Sequence, residues 1–286
     1  MMDLEEKCIE QQLWVKDQNK EETMEQIQED IFRKSFPPAG ISEVEWKARV
    51  ELALAYRMVD YYGWTTQVYN HISLRIPGTE HILINPFGLL YSEIKPSNLV
   101  KIDLDGNKVD DSPYPVNKAG FVIHSAIHKA RSDLNCVLHT HNPETIAVST
   151  LKCGFIPLHQ ESYQFYERIG YHNFEGIVLD EAEQERLVSS LGETNHTLLL
   201  HNHGSLTAGV NVATAFVRMY QLIFGSLVQL KAMSTGQELI QASEKVMIKT
   251  REQFEGGDSQ AGAQVLLPEW PAYYRMMKKI DPNWDQ

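Results

Sequence analysis

The sequence predicts a layered α/β domain. Segments with apolar residues at helical spacing alternate with short β-prone runs, and Gly, Pro, Asn and Asp mark the joints between them. The chain is also large enough to bury a substantial core, with 286 residues, 43% of them hydrophobic and 9% aromatic.

Residues 1 to about 36 are rich in Glu, Gln and Lys, and the stretch ends at Pro37-Pro38-Ala39-Gly40, which breaks any helix. Residues 1–40 therefore read as an extension, helical or mobile. Ser42 with Glu45 forms an N-terminal capping pattern, and VEWKARVELALAYRMVDYYGW then repeats apolar residues at helical spacing until Gly63. HISLRI and HILINP follow as strands separated by Pro77-Gly78, and LVKIDLDGNKV reads as two strands turned at Asp105-Gly106. Gly120 to Ala130 is helical, CVLHTH is a strand ending at Asn142-Pro143, and 144–152 is helical again. GIVLD is expected as a strand, 181–191 as a helix, HTLLLHNHG as a strand ending at Gly204, and 211–234 as a long helix. One domain over 41–256 contains these elements, and the tail 257–286, with its Trp/Tyr/Met-rich end, is expected to pack on the domain or a neighbouring subunit. The sequence contains no internal repeat.

The formal net charge of -12 argues against attraction to nucleic acid or to anionic membrane surfaces. The longest apolar helix candidate, around 215–230, contains Arg218 and Gln221 and reads as a core helix. Cys8, Cys136 and Cys153 have no CxxC spacing, and MMDLEEKCIEQQ lacks the pattern of a secretory signal, which together suggest a reduced, cytoplasmic setting.

The chemistry sits in the histidines. Strand side chains at i and i+2 leave the same face roughly 7 Å apart along the backbone, so His139 and His141 can chelate one ion. A catalytic metal site commonly uses three protein ligands, and His203, just before Gly204, is the natural third. Spacing alone also admits His201. Neutral imidazole suits Zn, Fe(II), Co and Ni alike. His124 and His128 stand at i, i+4, but no Glu follows His124 as an HExxH site requires, so this pair reads as structural, one ring on the core face and one near a carboxylate or carbonyl.

VLHTHNPETIAVS, followed by LLLHNHGSLTAG with 62 positions between His141 and His203, resembles the class II aldolase and adducin head family. That family includes the fuculose-phosphate and rhamnulose-phosphate aldolases and the ribulose-phosphate 4-epimerase. YNHISLRI, INPFG and HSAIHKARSDLNCVLHTH support the likeness over about residues 44–235, and AGFVIHSAIH, LKCGFIP and GYHNFEG most resemble the adducin-head branch. The resemblance implies a three-layer α/β/α sandwich with a central mixed, largely antiparallel sheet, a cyclic homotetramer, and active sites at subunit interfaces. It assigns the metal to His139, His141 and His203, one divalent ion per subunit, zinc first, with Fe(II), Co or Mn as alternatives. Asn70 and Gly88 stand where the family meets its substrate, and Lys118 is a further candidate, able to bind a substrate carboxylate.

The chain departs from the enzymes at several positions. Where the sugar-phosphate aldolases carry Ser-Ser-Glu, it has Lys118, Ala119 and Gly120, so their acid/base carboxylate and phosphate-holding hydroxyls are missing. Phe87 and Tyr69 also replace small residues, which points to a less polar or aromatic ligand, a partly filled pocket, or plain core packing. For proton transfer the segment IPLHQESYQFYERIGYH offers His159, Glu161 and Tyr163, with Glu161 first; Glu161 has a competing role as partner of Arg168. The expected function is a divalent-metal lyase performing aldol cleavage, epimerisation or decarboxylation on a small non-phosphorylated substrate. An Fe(II) oxygenase acting on an aromatic 2-oxo acid and a non-catalytic adducin-like head are the alternatives.

Overall fold

The computed structural model describes residues 37–176, 182–258 and 269–286; residues 1–36 of the N-terminal extension and most of GIVLD lie outside them. Helix α1 (Glu43–Tyr61) starts where expected, with the Ser42 hydroxyl accepting the Glu45 N–H at 3.2 Å. Such a cap contributes about 1 kcal/mol by satisfying a donor that the first helical turn leaves free. Strands β1 (His71–Arg75), β2 (Ile82–Ile84) and β3 (Val100–Ile102) follow, then α2 (Lys118–Ala130), β4 (Cys136–Thr140) and the short α3 (Pro143–Ser149). After a 3-10 turn at Gln160–Phe165 come β5 (Ile169–His172), α4 (Glu183–Leu191), β6 (Thr197–Leu200), β7 (Gly204–Gly209), α5 (Val212–Met233), α6 (Glu244–Asp258) and α7 (Glu269–Ile280).

The strands form one mixed sheet in the order β3-β2-β1-β4-β7-β6-β5. Every pairing is antiparallel except the parallel β5–β6 edge. The period-2 alternation of strand side chains divides the core between two faces. Leu138 and Leu199 join the cluster built on α1, α5 and α7, while Val137, Leu198 and Leu200 join the one under α2 and α4. Helices thus cover both sides, as the three-layer expectation requires.

Three local expectations need correction. The run after Asp105-Gly106 pairs only through the isolated bridge Ile102↔Lys108, because the turn leaves Lys108 alone in register. HTLLLHNHG is not one strand: it ends at Leu200, turns through 201–203 with Asn202 at φ 58, and returns as β7. Strand β5 was hidden by its brevity and by Gly170, where a Cβ would lie 2.1 Å from the Ser190 carbonyl oxygen; α4 packs that closely against the strand.

The tail helix α7 lies against α1. It buries Trp270, Pro271, Tyr274 and Met277, and the Trp270 indole donates to the Glu51 carboxylate at 2.8 Å. Among the described residues no helix is long and apolar enough to cross a membrane.

Candidate metal centre

The site forms where β4 ends and where β6 turns into β7. β4 and β7 pair with His139 opposite Leu206 and Thr140 opposite Ser205, which carries the 201–203 turn alongside His141. His139, His141 and His203 each contribute one ring nitrogen to a group within 4.8 Å, and the three ring centroids are 4.8–4.9 Å apart. His139 Nδ1–H donates to the Ser205 carbonyl at 3.0 Å, which fixes its tautomer and leaves Nε2 facing His141 Nε2 at 2.9 Å. Two nitrogens bound tetrahedrally at about 2.0–2.1 Å to one zinc lie roughly 3.3 Å apart, so a small adjustment accommodates the ion.

Two further features fit a metal. Burial holds the His139 imidazole well below its ordinary pKa and lowers His141; burial, then the His141 and His172 charges, bring His203 to about 4. All three rings are therefore neutral at neutral pH, the protonation state a ligand needs. Gly204 lets the turn close on the ligands. A Cβ there would stand 2.5 Å from the Thr140 carbonyl oxygen, 3.1 Å from the His141 ring and 3.3 Å from the His139 ring. His201 turns away, bonding the Ser149 carbonyl at 2.5 Å and stacking on Tyr171, so it belongs outside the ligand set.

Of the residues expected at the substrate, Asn70 is buried and donates to the Trp64 carbonyl at 2.9 Å, with its Oδ1 unpartnered among the described residues. Gly88 is exposed at φ +100, a conformation that favours glycine, and Lys118 is exposed at the start of α2. Tyr69 is 51% exposed, which removes the core-packing reading for that ring. Phe87 is half-buried, its N–H bonded to the Pro115 carbonyl.

The acid/base candidates form a separate group. His159 Nδ1 meets Glu161 Oε2 at 3.0 Å, and the His159 ring packs edge-on to Phe224 of α5. The hydrogen bond from His159 holds the Glu161 carboxyl below the usual range. The Tyr163 hydroxyl accepts the Ala242 N–H at 3.4 Å. No contact joins these three to the metal histidines among the described residues. Arg168 pairs with Glu255, so the alternative pairing of Glu161 with Arg168 is not formed.

Sequence reasoning missed His71, whose ring stacks on His139 with centroids 4.9 Å apart, and Phe174, whose ring lies 6.3 Å from that of His203. His71 carried a legible signal, since His71 and Ser73 alternate on one face of a predicted strand. His124 and His128 are both buried; Ser73 bonds both rings, His124 also meets His71, and the Leu134 backbone lies at the His128 ring, in keeping with a structural pair that has one ring near a carbonyl.

A mixed seven-stranded sheet covered on both faces, with a three-histidine centre at its strand ends, defines the class II aldolase fold. The family model described as Class II Aldolase and Adducin N-terminal domain matches residues 50–230, and the chain belongs to that family. A Pseudomonas aeruginosa protein named among the class 2 aldolases is 43% identical over 251 residues, 87% of this chain and 95% of its own. Alpha-adducin of Rattus norvegicus is 41% identical over 190 residues, covering 65% of this chain but 26% of that protein. The crystal structure of an aldolase II superfamily protein from Pseudomonas syringae superposes with a TM-score of 0.78 at 42% identity, over 85% of this chain and 97% of that one. Class II aldolases are in general dependent on a divalent metal.

Proposed function

We propose that the protein is a divalent-metal lyase that cleaves a carbon–carbon bond next to a carbonyl in a small, non-phosphorylated substrate. The observation that carries this reading is the neutral three-histidine group, whose ring nitrogens lie within 4.8 Å of one another. An ion held by neutral ligands keeps its full double charge and, when bound, polarises a carbonyl oxygen. Zinc is the first candidate, with Fe(II), Co and Mn behind it. The absence of the phosphate-binding hydroxyls at 118–120 and the exposed Tyr69 and Phe174 rings support an uncharged or aromatic substrate end, with Asn70, Gly88 and Lys118 around it.

Glu161, with His159 and Tyr163, would reach such a substrate from a neighbouring subunit, in keeping with interface sites in a homotetramer of the 32.7 kDa chain in the cytoplasm. The test is elemental analysis of protein purified without added metal and after reconstitution, followed by a screen of non-phosphorylated hydroxyketones. One ion per chain with turnover is expected. Unchanged turnover in Glu161→Gln would remove that residue from the mechanism. Protein that takes up no stoichiometric metal would leave the non-catalytic head reading instead.

A further inference from the structure

The face of the sheet turned away from the metal ligands carries a small polar cluster. His139 and His141 leave one side of the chain, so Thr140 between them points to the other, toward α5. Its hydroxyl donates to the Met219 thioether at 3.5 Å, and that sulfur is its only hydrogen-bond partner among the described residues. Ser205, opposite Thr140 in the β4–β7 pairing, brings its hydroxyl to the same sulfur at 3.5 Å and to Thr145 Oγ1 of α3 at 3.0 Å. Met219, Thr140, Thr145 and Ser205 are all 0% exposed.

Counting protons separates the two contacts to sulfur, because a hydroxyl has one proton to give. Thr145 gives its own to the Asn142 carbonyl at 3.0 Å, so its oxygen accepts the proton of Ser205. Thr140 has no acceptor but the thioether. The sulfur is a weak acceptor, yet without it a wholly buried hydroxyl would be left unpaired, which is costly. Leucine, a residue of similar volume, would fill the space but offers no lone pair.

These contacts reach the ligands through the backbone. β4 ends at Thr140, so His141 stands beyond the strand between two anchors. One is Thr140 on Met219; the other is Asn142, whose side chain accepts the Glu144 and Thr145 N–H groups at the start of α3. On the adjoining strand, the Ser205 carbonyl that holds His139 Nδ1–H belongs to the residue whose hydroxyl packs on the same sulfur. Met219 lies within the 22-residue α5 and is part of the main core, so its sulfur is a fixed point. We infer that Met219 is a positioning residue of the metal centre: through the Thr140 hydroxyl, its thioether fixes the end of β4 and with it the spacing of His139 and His141. The inference rests on the metal-binding part of the lyase reading and on nothing about the substrate.

The experiment is a cobalt(II) titration of metal-free, full-length protein in competition with a chelator, read by affinity and by the visible spectrum of the bound ion. The proteins compared are the wild type, Met219→Leu, Thr140→Val and the double variant. The wild type should bind one ion per chain. Each single variant should bind about 10-fold more weakly, the lower end of the range for groups that orient metal ligands, with an altered spectrum. Because both act through one hydrogen bond, the double variant should also lose about 10-fold, whereas independent effects would multiply to about 100-fold. Val59→Ala, a truncation in the buried face of α1, should lower thermal stability but keep the affinity within about twofold of wild type. Affinity unchanged in either single variant, a loss near 100-fold in the double variant, or a loss in Val59→Ala equal to theirs would overturn the inference and leave the metal site standing. Thr140→Val reads the same bond from its other end, so it decides the matter if Met219→Leu does not fold. Wild-type protein that takes up no cobalt would sink the metal reading itself and this inference with it, so the two failures are distinguishable.

Discussion

Residues at the centre are constrained from opposite directions, some by what they bring and others by what they lack. His139 brings a lone pair whose direction is fixed by the Ser205 carbonyl, and it is wholly buried. His139→Ala should lower metal affinity by at least about 100-fold, since even the partners that orient metal ligands typically cost 10- to 100-fold. The variant should keep its secondary structure, checked by circular dichroism beside metal analysis, because a site at strand ends contributes local rather than global stability. Gly204 lacks the methyl group that would strike Thr140 and both neighbouring imidazoles. Gly204→Ala should therefore destabilise the protein by about 1–3 kcal/mol, the usual cost of overpacking, measured by urea unfolding. It should also weaken metal binding, because the clash separates β7 from the ligands on β4.

Elements contribute through register and docking. Placing His71 opposite His139 depends on the β1–β4 pairing, and a slip of one residue would turn His71 and Ser73 onto the other face. The docking of α7 on α1 places the Glu51 carboxyl next to the Trp270 indole, and burial raises its pKa to about 7. A carboxyl whose folded pKa lies above the unfolded value of about 4.3 favours the folded state fully below that unfolded value. Its contribution is lost as pH rises from there through about 7. Glu51→Gln should therefore flatten the decline in stability across that window, by up to about 1.4 kcal/mol per pH unit for the one proton involved. Thermal unfolding at pH 4.5, 6 and 7.5 measures it, and equal slopes in both proteins would show that Glu51 is not the group responsible.

At the scale of the whole molecule, the chain buries many imidazoles in neutral form. Burial holds His71 and His128 to about 3, and holds His124 and His196 well below the ordinary histidine value. A base whose folded pKa is depressed stabilises the fold above its unfolded pKa of about 6.5 and loses that contribution as pH falls toward the folded value. Metal-free protein should accordingly lose stability steeply between about pH 6.5 and 4, followed by near-ultraviolet circular dichroism, while bound metal should shift the loss to lower pH by opposing protonation of its ligands. The two pH effects have opposite signs over overlapping windows, and several histidines outweigh the one carboxyl, so stability should rise with pH up to about 6.5 and level off or decline slightly above it.

Much of this was legible along the chain because its signals are local. The Ser42 cap, the helical spacing from Val44 to Tyr61, and the i, i+2 pair His139 and His141 each depend on residues a few positions apart, and each appears in the structure as the spacing requires. The third ligand needed the motif around His203, since spacing alone could not separate it from His201. Pairing in three dimensions decided the rest. Only strand register brings His71, 68 residues before His139, onto the ring of the first ligand. Only the approach of α2 to β1 joins His124 and His128 through Ser73, and only the packing of α4 explains Gly170. Sequence by itself determined the α/β class, most of the strands and helices, and His139, His141 and His203 as the candidate metal ligands, because periodicity and a short motif encode them. Tertiary structure alone decided what stands behind those ligands, because hydrogen bonds between residues more than 50 positions apart leave no periodic trace.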